Sequence, residues 1–161
     1  MLKIRSGIGY DIHRLEKGTG LLIGGITVAS DLCCVAHSDG DVLIHALIDS
    51  LLGAAGEADI GEMFPDSDPA YKDISSAVLL KEALELLNQK QFEIVNIDCV
   101  LITQLPRISP FKEAIRKHMS ALLEIPVEDF NVKAKTREKL GSVGRGEGIE
   151  CYCVSMLRYT G

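Results

Sequence analysis

Tryptophan is missing from this chain, and aromatic side chains make up only 5% of it. Modules that hold single-stranded nucleic acid stack bases on aromatic platforms, so that class is excluded. Excess positive charge is missing too: 17 Lys+Arg stand against 23 Asp+Glu, for a net charge of −6. A field of that sign does not draw in DNA, RNA or an anionic membrane, so neither nucleic acid nor membrane is expected as a partner. No uninterrupted apolar run reaches the roughly 18 residues that a spanning helix needs. The five cysteines (33, 34, 99, 151 and 153) are odd in number and form no C-x-x-C pair. A disulfide framework is therefore not expected; the thiols read as small hydrophobes in a reducing compartment. The G-x-x-x-x-G-K-[ST] loop of nucleotide-binding P-loops is absent as well. The opening Met1-Leu2-Lys3-Ile4-Arg5 leads straight into strand-like sequence, without a signal-peptide core or a Ser/Arg-rich transit segment. The expected location is the cytoplasm, or the plastid stroma if a transit peptide has been removed.

What is present is an ordinary globular balance, 47% hydrophobic and 25% charged over 161 residues. That length suits one domain, residues 1–161. Hydrophobic periodicity predicts strands over 5–15 and 21–30, the second with a bulge at Gly24-Gly25. A helix follows over 42–52, opened by a capping-box-like Ser38 and Asp41 and closed by the glycines at 53 and 56. Residues 57–73 read as a loop with six acids, two prolines and one lysine. A loop that long is functional or mobile. An amphipathic helix over 75–91, a strand over 92–104, a helix opened by Ser109-Pro110, and strands over 130–136 and 149–159 complete the chain. The mixed order without strict βαβ alternation predicts an α+β fold, one mixed β-sheet with helices packed on one face. The uncovered face is expected to meet further copies of the chain.

Three features carry chemistry. Asp11 and His13 flank Ile12 in the first strand, so alternation sends both to one face, where they can grip a cation. Taken alone, the tripeptide is also a chance match. His45 lies mid-helix with Asp41 and Asp49 four residues to either side. A solvated ion-paired face is one reading; the apolar neighbours Val42, Leu43, Ile44, Ala46, Leu47 and Ile48 favour a buried imidazole with a carboxylate behind it. Asp11, His13 and His45 together would make a three-ligand site with an open position, the pattern of catalytic zinc. The third feature is basic: Lys133, Lys135, Arg137, Lys139 and Arg145, running into a stretch with four glycines in residues 139–148. Cations and exposed backbone N–H groups suit phosphate oxygens, although a plain solvated loop has the same composition. Glu138 among them suits an oxygen-seeking ion such as Mg²⁺. The charge is also uneven, with 12 acids and 5 Lys+Arg in residues 1–80 against 11 and 12 afterwards. An acidic half can bind an anionic ligand only through something cationic, and a metal is the simplest candidate.

These blocks come in a recognisable order: Asp11-x-His13; His37-Ser38-Asp39-Gly40-Asp41-Val42 with His45-Ala46; Asp59-Ile60-Gly61 with Phe64-Pro65-Asp66-Ser67-Asp68; and residues 132–141 followed by Gly144-Arg145-Gly146-Glu147-Gly148. Over essentially the whole chain they resemble the 2-C-methyl-D-erythritol 2,4-cyclodiphosphate synthase family of non-mevalonate isoprenoid biosynthesis. The resemblance implies a homotrimer whose sheets meet around the three-fold axis, with active sites between subunits. It implies conversion of 4-diphosphocytidyl-2-C-methyl-D-erythritol 2-phosphate to the cyclic diphosphate with release of CMP. Asp11, His13 and His45 would hold Zn²⁺, and Glu138 would hold Mg²⁺ or Mn²⁺ with the substrate phosphates. Asp11, His13 and Glu138 would also touch substrate. His37 and Ser38 would contact the diphosphate; Asp59 and Gly61, beside Phe64, Asp66 and Asp68, would contact the erythritol. Thr103, Pro106, Arg107 and Ser109, with Ala134, Lys135 and Thr136, would form the cytidine pocket. Ser142 and Arg145 would complete the binding set, and His37 and Thr136 would steady the transition state. The chain departs from the family at Ser142, Arg107 and Lys135, where Phe, Lys and Thr are common. A zinc phosphohydrolase and a non-enzymatic trimer with a structural metal are the competing readings. The missing fourth ligand weighs against the latter.

Overall fold

Two glycines decide how close the first helix can come to the first strand. In the computed structural model, which describes residues 3–65, 67–71 and 73–161, strand β1 (Ile4–Lys17) alternates as predicted. Its inner face carries Gly7, Gly9, Asp11, His13 and Leu15. A Cβ at Gly7 would stand 2.1 Å from the Ser50 carbonyl oxygen, and one at Gly9 would stand 1.9 Å from that of Ala46. Their absence lets helix α1 (Val42–Ala55) lie directly on the strand backbone. α1 is apolar almost all round, and Val42, Leu43, Ala46, Leu47, Ile48, Leu51 and Leu52 are fully buried, as a helix at the centre of a core must be.

The sheet runs β4 (Leu32–Val35), β1, β7 (Gly148–Tyr159), β5 (Phe92–Ile102), β6 (Phe130–Lys135). All pairs are antiparallel except β5–β6, which are parallel and joined through helix α4 (Lys112–Leu123). The sheet is therefore mixed. α1 packs on its inner face, with helix α3 (Ser76–Gln89) against α1. No helix among the described residues is long and apolar enough to cross a membrane.

Several local expectations need correction. Gly24-Gly25 is not a bulge but the turn of a hairpin between β2 (Leu21–Ile23) and β3 (Ile26–Val28). Both glycines have positive φ, 56° and 72°, the conformation that two-residue hairpin turns demand. β4, an edge strand of four residues, was too short to show a period. The 57–73 segment contains a short helix α2 (Ile60–Met63) and a 3-10 turn (Pro69–Tyr71). Ser38 is not the cap of α1; Asp41 is, and its carboxylate accepts the Ile44 N–H at 3.1 Å. Ser109-Pro110 opens a 3-10 turn, and α4 starts after it without a side-chain cap. In α4, Ile115, Met119 and Leu123 are buried as expected, whereas Leu122, and Phe111 in the turn before the helix, are only half-buried. A further short helix, α5 (Gly141–Gly144), lies in the glycine-rich stretch.

All five cysteines are free, and Cys99, Cys151 and Cys153 are buried on the inner face of the sheet. The outer face of β1 and β7 is uncovered: Ile4, Ile8, Tyr10, Ile12, Tyr152, Val154 and Met156 are exposed, Ile8 by 69%. Ile8 pairs with Val154 and Tyr10 with Tyr152, so these side chains form one continuous apolar stripe. A patch of that kind marks an interaction surface. The close approach at Gly9 gives a direct test. Gly9→Ala is expected to destabilise the fold by about 3 kcal/mol or more, because the clashing partner is backbone. Urea unfolding followed by far-UV circular dichroism measures it.

Candidate metal centre

β1 delivers Asp11 and His13 to its inner face, and α1, lying against it, delivers His45 from its second turn. Asp11 Oδ2, His13 Nε2 and His45 Nδ1 form a triangle with every side 3.1 Å. Donor atoms around a tetrahedral zinc at about 2.0–2.1 Å stand about 3.3 Å apart, so the triangle already has the dimensions of a zinc face. Two imidazole nitrogens aimed at each other and at one carboxylate oxygen are best satisfied by a cation among them. The donor set, one carboxylate and two imidazoles, suits zinc. Burial works to raise the Asp11 carboxyl, but hydrogen bonds and charge from His13 and His45 outweigh it and hold it well below the usual carboxylate range. Burial works to lower His45, and Asp11 more than offsets this, so its pKa is raised.

The centre opens on a cavity of about 220 Å³. Of the residues predicted for the site, Asp11, His13, His37, Ser38, His45, Gly61 and Phe64 line it. Asp59 stands exposed at the start of α2, where its carboxylate accepts the Glu62 N–H at 2.9 Å. Asp68 is exposed and accepts the Ala70 N–H at 2.9 Å. Asp66 lies outside the described residues. Tyr71, Ile74 and Leu79 also wall the cavity. Sequence reasoning missed them because they read there as ordinary apolar positions of a loop and a helix.

A second group gathers elsewhere. Thr103, Pro106, Arg107 and Ser109 follow β5, while Ala134, Lys135, Thr136 and Glu138 end and follow β6. The Thr103 N–H donates to the Lys135 carbonyl at 3.1 Å, and the Thr136 hydroxyl donates to Glu138. Carboxyl ends of adjacent parallel strands are where α/β sheets bind ligands. Glu138 and Lys139 both adopt positive φ, 49° and 65°. Asp11, Cys151, Leu101 and Ala134 lie in register across β1, β7, β5 and β6, which puts three strand spacings, about 14 Å, between the two groups. Within one chain, then, Glu138 is not brought to the three-ligand centre. Of the basic run, Lys133 pairs with Asp98, Arg137 with the buried Glu150, and Arg145 with Glu147. Ser142 is exposed on α5.

The carboxylates expected behind His45 are not there. Asp41 instead accepts the Gly24 and Gly25 N–H groups at 2.9 and 2.7 Å, and Asp49 accepts the Ile60 N–H at 2.8 Å. What lies behind the ring is Ser76 Oγ, 2.8 Å from His45 Nε2, with Asp39 bonded to Ser76 in turn. Ser76 is 31 residues from His45 on another helix. No local spacing signals such a partner.

Three donors able to hold a metal, open to a cavity on an α+β sheet, are the pattern of a metal-dependent enzyme. The YgbB family profile matches residues 4–158. The chain is 49% identical over 156 residues to the chloroplastic 2-C-methyl-D-erythritol 2,4-cyclodiphosphate synthase of Arabidopsis thaliana, covering 97% of this chain and 68% of that protein. It is 49% identical over 151 residues to the synthase of Caldicellulosiruptor bescii, covering 94% and 96%. Among solved structures it superposes on a CDP complex from Plasmodium falciparum with a TM-score of 0.86 at 37% identity, covering 98% of this chain and 97% of that one. On the bifunctional IspDF of Campylobacter jejuni the TM-score is 0.95 at 39% identity, and this chain spans 99% of itself and 43% of that one. The chain belongs to the YgbB family, the 2-C-methyl-D-erythritol 2,4-cyclodiphosphate synthases.

Zinc added to metal-free protein is expected to bind at one equivalent per chain and to raise the melting temperature, since it binds the folded state alone. Calorimetric titration and differential scanning calorimetry check both; His13→Ala should abolish the stabilisation.

Proposed function

We propose that this chain converts 4-diphosphocytidyl-2-C-methyl-D-erythritol 2-phosphate into 2-C-methyl-D-erythritol 2,4-cyclodiphosphate with release of CMP, as a lyase of isoprenoid precursor biosynthesis, at sites shared between copies of itself. One observation carries the site assignment: three convergent donors, mutually 3.1 Å apart, open on a cavity lined by His37 and Ser38. In the reaction the 2-phosphate oxygen bonds to the β-phosphorus of the same molecule, and the bond from that phosphorus to the oxygen retained by CMP breaks. No protein nucleophile is needed, and among the described residues no cysteine lines the cavity beside the three donors. Burial pushes the Cys34 thiol up to about 12.

The first task of the residues is to fold a flexible substrate into in-line geometry, and orientation of that kind is worth about 7–11 kcal/mol. His37 and Ser38 hold the diphosphate; Asp59 and Gly61, beside Phe64, Asp66 and Asp68, hold the erythritol. Thr103, Pro106, Arg107 and Ser109 with Ala134, Lys135 and Thr136 hold the cytidine monophosphate portion. A bound CDP is what the Plasmodium falciparum structure reports for that protein. The second task is to offset charge, because an anion attacks an anion. Asp11, His13 and His45 would hold zinc, and Glu138 a Mg²⁺ or Mn²⁺; metals supply positive charge to the phosphoryl oxygens. His37 and Thr136 steady the transition state.

About 14 Å of sheet between the two residue groups supports completion of each site by a neighbouring copy. The apolar stripe on the outer face of β1 and β7 supports a homotrimer built around it. Residues 1–161 act as one synthase domain. Its place of work is the cytoplasm, or the plastid stroma for a chain freed of a transit peptide; relatives named chloroplastic support the second.

His45→Ala is expected to lose zinc and CMP release while sedimenting as the wild-type oligomer. CMP should appear without inorganic phosphate; stoichiometric phosphate would instead indicate a hydrolase. Glu138→Gln is expected to slow turnover about 10²-fold with zinc content unchanged, as measured by atomic absorption. Loss of zinc would assign Glu138 to the other metal.

A further inference from the structure

The side of the His45 ring that faces away from the centre ends on two hydroxyls. Nε2 lies 2.8 Å from Ser76 Oγ and 3.1 Å from Ser38 Oγ. Ser76 is fully buried, and its hydroxyl is bonded to Asp39 Oδ1. The other Asp39 oxygen accepts the Ser76 backbone N–H at 2.8 Å, and Oδ1 also accepts the Asp41 N–H at 3.2 Å. Asp39 is therefore anchored by two backbone amides, one at the cap of α1 and one in the first turn of α3, and Ser76 is anchored to Asp39 by both its main chain and its side chain.

Proton counting gives this arrangement a direction. A carboxylate only accepts, and a serine hydroxyl has one proton. If Ser76 gives that proton to Asp39, its oxygen can only accept from the imidazole, so Nε2 must carry the ring proton. A neutral imidazole then has its lone pair on Nδ1, the atom that faces Asp11 and His13. We infer that Ser76 and Asp39 are positioning residues that fix His45 in the tautomer presenting Nδ1 as a metal ligand. The inference rests on the reading of Asp11, His13 and His45 as the zinc centre, and adds what makes the third ligand competent. The relay also raises the basicity of the ring, since partial negative charge from Asp39 reaches it through the hydroxyl. It has a consequence for Ser38. With Ser76 as the principal acceptor for Nε2–H, the Ser38 hydroxyl proton can turn toward the cavity that Ser38 lines.

The test starts with the unaltered protein. In zinc-loaded protein with ¹⁵N-labelled histidine, His45 is expected to show a slowly exchanging proton on Nε2 and a metal-shifted Nδ1. A proton on Nδ1, or zinc on Nε2, would overturn the assignment whatever the variants do. Ser76→Ala keeps the backbone N–H on Asp39 and removes only the hydroxyl; Asp39→Asn removes the charge at the end of the relay. Each is expected to weaken zinc about 10–100-fold in competition with a chromophoric chelator, with the metal-free circular dichroism unchanged. Affinities within twofold of wild type would sink the relay while leaving the zinc centre standing. Failure of the wild-type protein itself to bind zinc would remove both. Should Ser76→Ala not fold, the ring spectrum of the wild type decides alone.

Discussion

The metal centre exists because α1 can touch the backbone of β1. His45 belongs to a buried helix, and Asp11 and His13 belong to a strand. Their donor atoms meet at 3.1 Å only because Gly7 and Gly9 leave the strand surface bare beneath Ser50 and Ala46. A helix held off by strand side chains would stand too far away for the imidazole of His45, one turn into α1, to share an ion with short strand residues. The geometry of the three donors is thus a by-product of close packing, and the residues that permit it carry no functional group.

The acidic first half of the chain has a similar economy. Asp39 anchors the start of α3 and reaches the ring of His45 through Ser76. Asp41 caps α1 and gathers the hairpin turn at Gly24-Gly25; Asp49 pins the first amide of α2 beside the cavity. A buried carboxylate such as Asp41, or half-buried ones such as Asp39 and Asp49, are tolerable when backbone N–H groups donate to them. Here each also fixes one wall of the site relative to α1. Only Asp11 of this set faces the centre itself, where two imidazoles hold it ionised.

Much of this was legible in the sequence, and what was not has identifiable causes. The period of two in β1 put Asp11 and His13 on one face, and the apolar surroundings of His45 argued for burial; both were right. The two flanking acids of His45 misled, because spacing of four shows which residues share a helix face and not which way each side chain is pulled. Asp41 sits at the helix start, where free amides outcompete a ring nitrogen one turn away. Ser76 could not be found by spacing at all, since its contact spans separate elements. Gly24-Gly25 was misread because a bulge and a two-residue hairpin turn use the same residue, and only the pairing of β2 with β3 separates them.

β1 serves opposite duties on its two faces. Asp11 and His13 point inward, while Tyr10 and Ile12, their immediate neighbours, point outward into the apolar stripe. The pleat therefore ties the three-donor centre to the exposed stripe: neither set of side chains can shift by one position without exchanging places with the other. A single inserted residue before Asp11 would turn the apolar stripe against α1 and carry Asp11 and His13 to the uncovered face of the sheet. Register in this strand is under double constraint.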